Sequence, residues 1–157
     1  MHLVDLLAPS RIRASASATS KKRLLELIAS TLNQGSEDTD LERRIYDGLC
    51  ARERLGSTGL GRGVAIPHGR ITGLVGPVGA FLRLDEPLDF DASDGEPVDL
   101  VFALVVPEHF SQQHLLLLSQ LAEMFSDSDF CARLRDCRTD AALQAALADW
   151  QIAHLAA

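Results

Sequence analysis

The sequence predicts an α/β fold: a mixed β-sheet with α-helices packed on its faces. Three observations predict it. Apolar residues recur at helical spacing in the first and last thirds of the chain, runs rich in Val, Phe and Leu occupy the middle, and no internal repeat or linker divides the 157 residues. Helices at both ends of a strand-rich centre bury their apolar faces by covering a sheet. A chain of this length fits one core, so residues 1–157 are expected to form a single domain.

The elements follow in order. The small-residue run Ala14-Ser15-Ala16-Ser17-Ala18 reads as loop or weak strand. Ser20 precedes Leu24, Leu25, Ile28 and Leu32, whose spacing predicts an amphipathic helix ending near Gly35. Thr39 with Glu42 three residues later forms a capping box for a second helix, with Leu41, Ile45 and Leu49 as its apolar stripe and an end near Leu55. Residues 56–63 hold four glycines and predict a loop. Val64-Ala65-Ile66 reads as a short strand that Pro67 terminates, which puts His68 at a strand end, followed by the permissive Gly69.

Residues 78–84 and 98–106 are the strongest strand candidates, closed by Asp85-Glu86-Pro87 and by Pro107. The near-continuous apolar run over 100–106 predicts a strand covered on both faces. Between them lies an acidic stretch with a turn at Asp94-Gly95. Three helices close the chain. The first runs from a cap at Ser111 to about Phe125, the second opens at Ser126 with Asp129, and the third follows a cap at Thr139 with Leu143, Leu147 and Trp150 inward.

Composition narrows the functional classes. With 46% apolar and 24% charged residues the chain has the balance of a soluble globular domain. A net charge of -7 argues against nucleic acid, which needs a surplus of Lys and Arg. Cys50, Cys131 and Cys137 are odd in number and lack CxxC spacing, so idle thiols in a reducing compartment are expected. No apolar stretch is long enough to insert in a membrane, and Met1-His2-Leu3-Val4-Asp5 lacks a signal-peptide pattern. A cytoplasmic location is expected.

Five histidines share any histidine chemistry. His2 and His154 lie near the termini, and His109 and His114 are five apart, a spacing that does not place two metal ligands on one helix face. His68 differs in its surroundings: glycines before it, a strand end presenting it, Gly69 leaving the ring uncrowded. From local context alone, a histidine that merely satisfies a turn is the competing reading. The glycine run fits neither GxxxxGK[ST] nor GxGxxG, and it follows a helix where nucleotide loops follow a strand. Its amides can still meet an anion, and Arg52, Arg54, Arg62 and Arg70 gather near it in sequence. Taken singly, each arginine reads as a solvated surface charge. His114 falls in the first turn of its helix, where the dipole disfavours an imidazolium.

The stretch Arg52-Glu53-Arg54-Leu55-Gly56-Ser57-Thr58-Gly59-Leu60-Gly61-Arg62-Gly63-Val64-Ala65-Ile66-Pro67-His68-Gly69-Arg70 resembles the signature of IIA proteins of the phosphoenolpyruvate phosphotransferase system. Within them it is most similar to the nitrogen-regulatory branch. Ser20-Lys21-Lys22-Arg23, Pro97-Val98-Asp99-Leu100-Val101-Phe102-Ala103-Leu104 and Gln113-His114-Leu115 sit where that family has similar segments, so the resemblance covers residues 3–149. It implies the mannitol-type IIA fold. It also implies that His68 is the phosphorylated histidine, that Arg52 lines its site and that His114 is a second histidine beside it. Arg62 matches a variable position and is given a minor supporting role. Gly69 after the histidine, the Ser-Lys-Lys-Arg segment and an expected lack of a fused IIB or transporter domain favour the nitrogen-regulatory type over fructose-type IIA domains, which share much of the Gly-Ser-Thr-Gly motif and commonly carry alanine there.

The implied activity is phosphoryl relay. An HPr-like carrier (NPr) would dock with its own phosphohistidine, and a neutral nitrogen of His68 would attack phosphorus in line. Arg52 and the amides of Gly59, Gly61 and Gly63 are expected to share the charge on the phosphoryl oxygens, with His114 as a further donor and Arg62 and Arg70 close by. No metal or organic cofactor is expected, because the donor's phosphoryl group is already activated. The phosphorylation state of His68 would then control regulatory partners such as potassium transporters or kinases. Two other readings stand beside this one: a sugar-specific IIA component that passes its phosphoryl group to a IIB domain, and a binding module that uses the same fold without phosphorylation.

Overall fold

The computed structural model describes residues 3–155, so His2 lies outside the described residues. Two short helical turns, Leu3–Leu6 and Pro9–Arg11, lead into strand β1 (Ile12–Ala16). Helices α1 (Lys21–Leu32) and α2 (Thr39–Arg54) follow, then β2 (Gly59–Gly61), β3 (Val64–Ala65), β4 (His68–Ile71), β5 (Val78–Leu88) and β6 (Val98–Pro107). Helices α3 (Gln112–Ser126), α4 (Ser128–Asp136) and α5 (Asp140–Leu155) complete the chain.

The strands form one mixed sheet in the order β1-β5-β6-β3-β2, with β4 also on β6. β5 and β6 pair antiparallel, while β1 lies parallel to β5 and β3 and β4 lie parallel to β6. β6 is the centre of the molecule, and its alternation sorts the two cores. Leu100, Phe102, Leu104 and Val106 join residues of α3, α4 and α5 on one face. Val101, Ala103 and Val105 join residues of α1 and α2 on the other. The sheet is therefore covered on both faces, as the unbroken apolar run requires. Phe125 of α3 stacks against Phe81 with centroids 6.2 Å apart and meets Phe102 edge-on at 6.3 Å, which seats α3 on the sheet.

Several expectations shift in detail. The small-residue run forms the edge strand β1. Asp38, one residue before Thr39, caps α2: its carboxylate accepts from the Leu41 N–H, and Thr39 becomes the first helical residue. Asp127, not Ser126, caps α4 by accepting from the Phe130 N–H, while the Ser126 hydroxyl turns back to Glu123 O. Thr139 accepts from the Ala142 N–H as expected. Ser111 occupies the cap position of α3 but makes no side-chain capping bond. β5 runs on through Asp85-Glu86-Pro87 to Leu88, because its irregular far end still pairs with Val98.

The glycine segment is not all loop. β2 and β3 make a small antiparallel hairpin whose corner places Arg62 at φ 57° and Gly63 at φ 82°. His68 begins a strand rather than ending one. β3 and β4 run along β6 in the same register, Val64 opposite Leu100 and His68 opposite Leu104, with Ile66 and Pro67 as the break between them. Pro67 has no N–H to give, yet its carbonyl still accepts from the Leu104 N–H at 3.0 Å.

α2 lies close on β4. A Cβ placed on Gly48 would stand 2.5 Å from Ile71 Cδ1, and one on Gly69 would stand 3.5 Å from the Gly48 carbonyl oxygen. Two glycines thus let the end of the helix approach the start of the strand, which brings Arg52 toward His68.

Candidate functional site

His68 is half-buried at the start of β4. Its Nδ1 lies 2.8 Å from Ile66 O, an atom that can only accept, so Nδ1 carries the proton. The strand break is what makes this bond: Ile66 and Pro67 leave the ladder, and the Ile66 carbonyl is free to turn to the ring two residues on. Nε2 keeps its lone pair, has no partner among the described residues, and is not sealed from solvent.

The ring opens onto a groove of about 960 Å³ between the last turns of α2, β4, and the start of α3. Arg52 reaches its wall from α2, where Nη1 is anchored to Gly56 O at 2.8 Å. Arg70, exposed and two residues along β4, lines it from below. His114, the third residue of α3, is only 8% exposed, and its ring meets that of His68 edge-on with centroids 5.4 Å apart. Its Nε2 is buried without a hydrogen-bond partner among the described residues.

The electrostatics favour two neutral rings. Burial pushes the His68 imidazole below its ordinary range, the bond to Ile66 O pulls it back up, and the Arg52 charge lowers it further against a smaller opposing pull from Glu53. His114 is lowered to about 4, chiefly by burial and then by His68 and Arg70. An unprotonated Nε2 on His68, flanked by guanidinium groups, is a nucleophile facing a site suited to oxyanions.

His68, Arg52, Arg70 and His114 thus come together, whereas Gly59, Gly61, Gly63 and Arg62 do not join them. Those four belong to the β2–β3 hairpin and none lines the groove. The Gly59 N–H is given to Ser57 Oγ and the Arg62 N–H to Asp94 Oδ2 at 2.8 Å, while Arg62 Nη2 turns to Phe125 O. Arg62 and Gly63 instead line a second hollow with Asp94, Asp99 and Arg135. Proximity in sequence misled here because the hairpin points the glycine run away from the strand that follows it.

Sequence reasoning also passed over residues that build the site. Glu53, 6% exposed in its side chain, holds Lys21 Nζ at 2.9 Å and both the N–H and hydroxyl of Thr58. Glu108 and His109 line the far side of the groove, and Leu55 and Leu115, 85% and 67% exposed, stand on its rim. Exposed leucines beside a charged motif were the available signal for that rim. Nothing in spacing marks Glu108 or Glu53.

The family model described as phosphoenolpyruvate-dependent sugar phosphotransferase system, EIIA 2, matches residues 5–150. The nitrogen regulatory protein of Pseudomonas aeruginosa is 45% identical over 151 residues, covering 96% of this chain and 97% of that one. That of Bradyrhizobium diazoefficiens is 40% identical over 148 residues, covering 94% and 95%. Among solved structures, the nitrogen regulatory protein IIA-Ntr of Neisseria meningitidis superposes with a TM-score of 0.85 at 42% identity, over 92% of this chain and 98% of that one. IIA mannitol of Escherichia coli, at 19% identity, shares the fold with a TM-score of 0.75 over 90% and 98%. No helix among the described residues is long and apolar enough to cross a membrane. The chain belongs to the type 2 EIIA family of the phosphoenolpyruvate-dependent phosphotransferase system, and its similarity runs to the nitrogen regulatory members.

Proposed function

We propose that the chain is a phosphocarrier that accepts a phosphoryl group on His68 Nε2 from an HPr-like protein (NPr) and regulates partners according to its phosphorylation state. The observation that carries this reading is the hydrogen bond from His68 Nδ1 to Ile66 O at 2.8 Å. It fixes the tautomer and leaves Nε2 as the one ring nitrogen with a free lone pair.

In the proposed step that lone pair forms a bond to phosphorus while the donor's N–P bond breaks and its electron pair returns to the donor ring. Little else is asked of the protein than position and charge. The Ile66 carbonyl holds the ring plane, Arg52 and Arg70 meet the phosphoryl oxygens, and His114 stands beside them. Burial keeps the acceptor ring neutral at ordinary pH, so the nucleophile need not first lose a proton.

A partner that covers the groove would seat apolar side chains on Leu55 and Leu115. A phosphoryl group beneath it adds net negative charge and three acceptor oxygens to that surface. That change would make binding of a regulated target, such as a potassium transporter or a kinase, depend on phosphorylation.

The test is incubation with phosphoenolpyruvate and the upstream carriers, followed by intact-mass analysis. An acid-labile phosphoryl group that disappears in His68→Ala is the expected result, and an unlabelled wild-type chain would leave only a docking module. Rapid onward transfer to a sugar-transporter IIB domain would favour the sugar-specific role instead.

A further inference from the structure

His114 Nε2 is a buried polar atom without a partner among the described residues. Such an atom costs stability unless something in the working cycle satisfies it. It lies in the ring that meets His68 edge-on, which makes the phosphoryl group the candidate partner. We propose that transfer of the phosphoryl group to His68 draws a proton from solvent onto His114, whose Nε2–H then donates to a phosphoryl oxygen. The inference rests on His68 being the acceptor.

The charge balance argues for the proton. Before transfer both rings are neutral. In the transfer the His68 Nε2 lone pair makes the N–P bond, the donor's N–P bond breaks, and the three phosphoryl oxygens arrive with two negative charges when fully ionised. The His68 ring keeps its Nδ1 proton on Ile66 O and so becomes positive. The site has gained one net negative charge in a half-buried place. One proton taken up by His114 cancels it and makes Nε2 a donor whichever ring nitrogen carried the proton before. A buried charge is costly alone and tolerable when paired and hydrogen-bonded.

The groups around His114 decide whether the proton can stay. From β4, Arg70 opposes an imidazolium, and Arg52 of α2 lines the same groove. The first turn of α3, to which His114 itself belongs, also opposes it. From the segment after β6, Glu108 favours it, although its carboxylate is partly engaged by Thr72 Oγ1 at 2.9 Å, and His109 stands exposed beside it. In the free chain burial, and then His68 and Arg70, hold His114 at about 4. A unit negative charge about 5 Å away, at an effective dielectric near 20, moves a titration midpoint up by about two units. Phosphorylation therefore raises His114 back toward the range of mildly acidic solution.

The experiment follows the His114 ring by long-range proton–nitrogen correlation in the full chain. The free protein is titrated between about pH 3 and 8 and compared with protein kept loaded by phosphoenolpyruvate and the upstream carriers between about pH 5 and 8. Phosphorus resonances report the load independently. The expected result is a His114 midpoint about two units higher in the loaded form. A phosphohistidine signal with a His114 midpoint displaced by less than about half a unit overturns the proton uptake and leaves the carrier reading standing. Absence of any phosphohistidine overturns both. His114→Gln supplies a second readout, since glutamine can donate a hydrogen bond but cannot titrate. Below about pH 6 the donor–acceptor equilibrium of the wild type should shift toward the loaded chain by up to about tenfold per pH unit relative to the variant. Parallel pH profiles would overturn the coupling.

Discussion

Lys21 Nζ lies 2.9 Å from Glu53 Oε2, at the junction of α1, the last turn of α2 and the glycine segment. The same ammonium sits 4.5 Å from the centre of the Phe90 ring, and the same carboxylate accepts from the Thr58 N–H at 3.2 Å. With the Glu53 side chain only 6% exposed, the pair is a clasp that fixes where α2 ends, and therefore where Arg52 stands. Removing one member of a buried pair leaves a charge without compensation and costs about 3–5 kcal/mol. Thr58 and partial solvent access at Lys21 soften this.

Lys21→Met is accordingly expected to destabilise the chain by about 2–3 kcal/mol, read by urea denaturation. Combining it with Glu53→Gln should cost clearly less than the sum of the single losses, because the second substitution removes the charge that the first orphaned. Additive losses would mean that the two groups do not hold one another.

Much of the architecture is legible in the residues because it follows from periodicity. Leu24, Leu25, Ile28 and Leu32 face the sheet as their spacing demands, and the run from Leu100 to Val106 is buried throughout. Cap positions slipped where two polar residues compete for one helix start: Asp38 over Thr39, and Asp127 over Ser126. A carboxylate is the stronger acceptor, and local sequence offers no further arbitration. The site divided differently. The motif points to His68 and Arg52 and a separate segment to His114, but that the three line one groove is set by register, by the break at Ile66 and Pro67, and by the Gly48–Gly69 approach. All three are tertiary facts. The glycine hairpin was misassigned for the same reason, since nothing in Gly59 to Gly63 says which way its amides point.

Arg52 offers a direct test of the groove's electrostatics. Its only side-chain hydrogen bond among the described residues runs to Gly56 O, at an exposed position, so its side chain contributes little to structure. Arg52→Gln should slow phosphoryl acceptance by about 100-fold, in the range seen when one charge-stabilising donor is removed. Stability should change by less than about 1 kcal/mol. Arg52→Lys should recover only part of the rate, since an ammonium lacks the planar fork. Rapid-quench measurement of transfer from the loaded donor reads these effects. Equal rates in all three proteins would remove Arg52 from the site.

Gly63 separates the hairpin from the groove. Its φ of 82° suits glycine, and a Cβ there would stand 2.6 Å from Arg135 Nη2 and 2.9 Å from Asp99 Oδ1. Those atoms belong to an ion pair that also ties Arg135 to Arg62 O at 2.7 Å. Gly63→Ala should lower stability by about 2–3 kcal/mol, from the left-handed backbone and the displaced pair together. Gly76→Ala, where a Cβ meets nothing within 4 Å, should be near neutral. Because the hairpin does not line the groove, Gly63→Ala protein that remains folded should accept phosphoryl groups within about threefold of the wild-type rate. A loss as large as that of Arg52→Gln would place the hairpin in the site after all.

Acid should weaken the fold through His114. Its midpoint is lowered to about 4 in the folded chain against about 6.5 when unfolded. Between these values the unfolded state binds more protons, so stability rises with pH across that window. The contribution is fully present above about pH 6.5 and is lost as pH falls toward 4, by about 3 kcal/mol in all. His68 is lowered in the same direction by burial and adds to the same trend. His114→Gln removes one of the two titrating groups and should flatten the profile. The difference in unfolding free energy between wild type and variant, taken at matched pH, should therefore shrink or reverse as pH drops from about 7 to 4.5. A difference that stays constant across this range would mean that His114 is protonated as easily inside the fold as outside it. The low midpoint would then be wrong, and the neutral ring beside His68 with it.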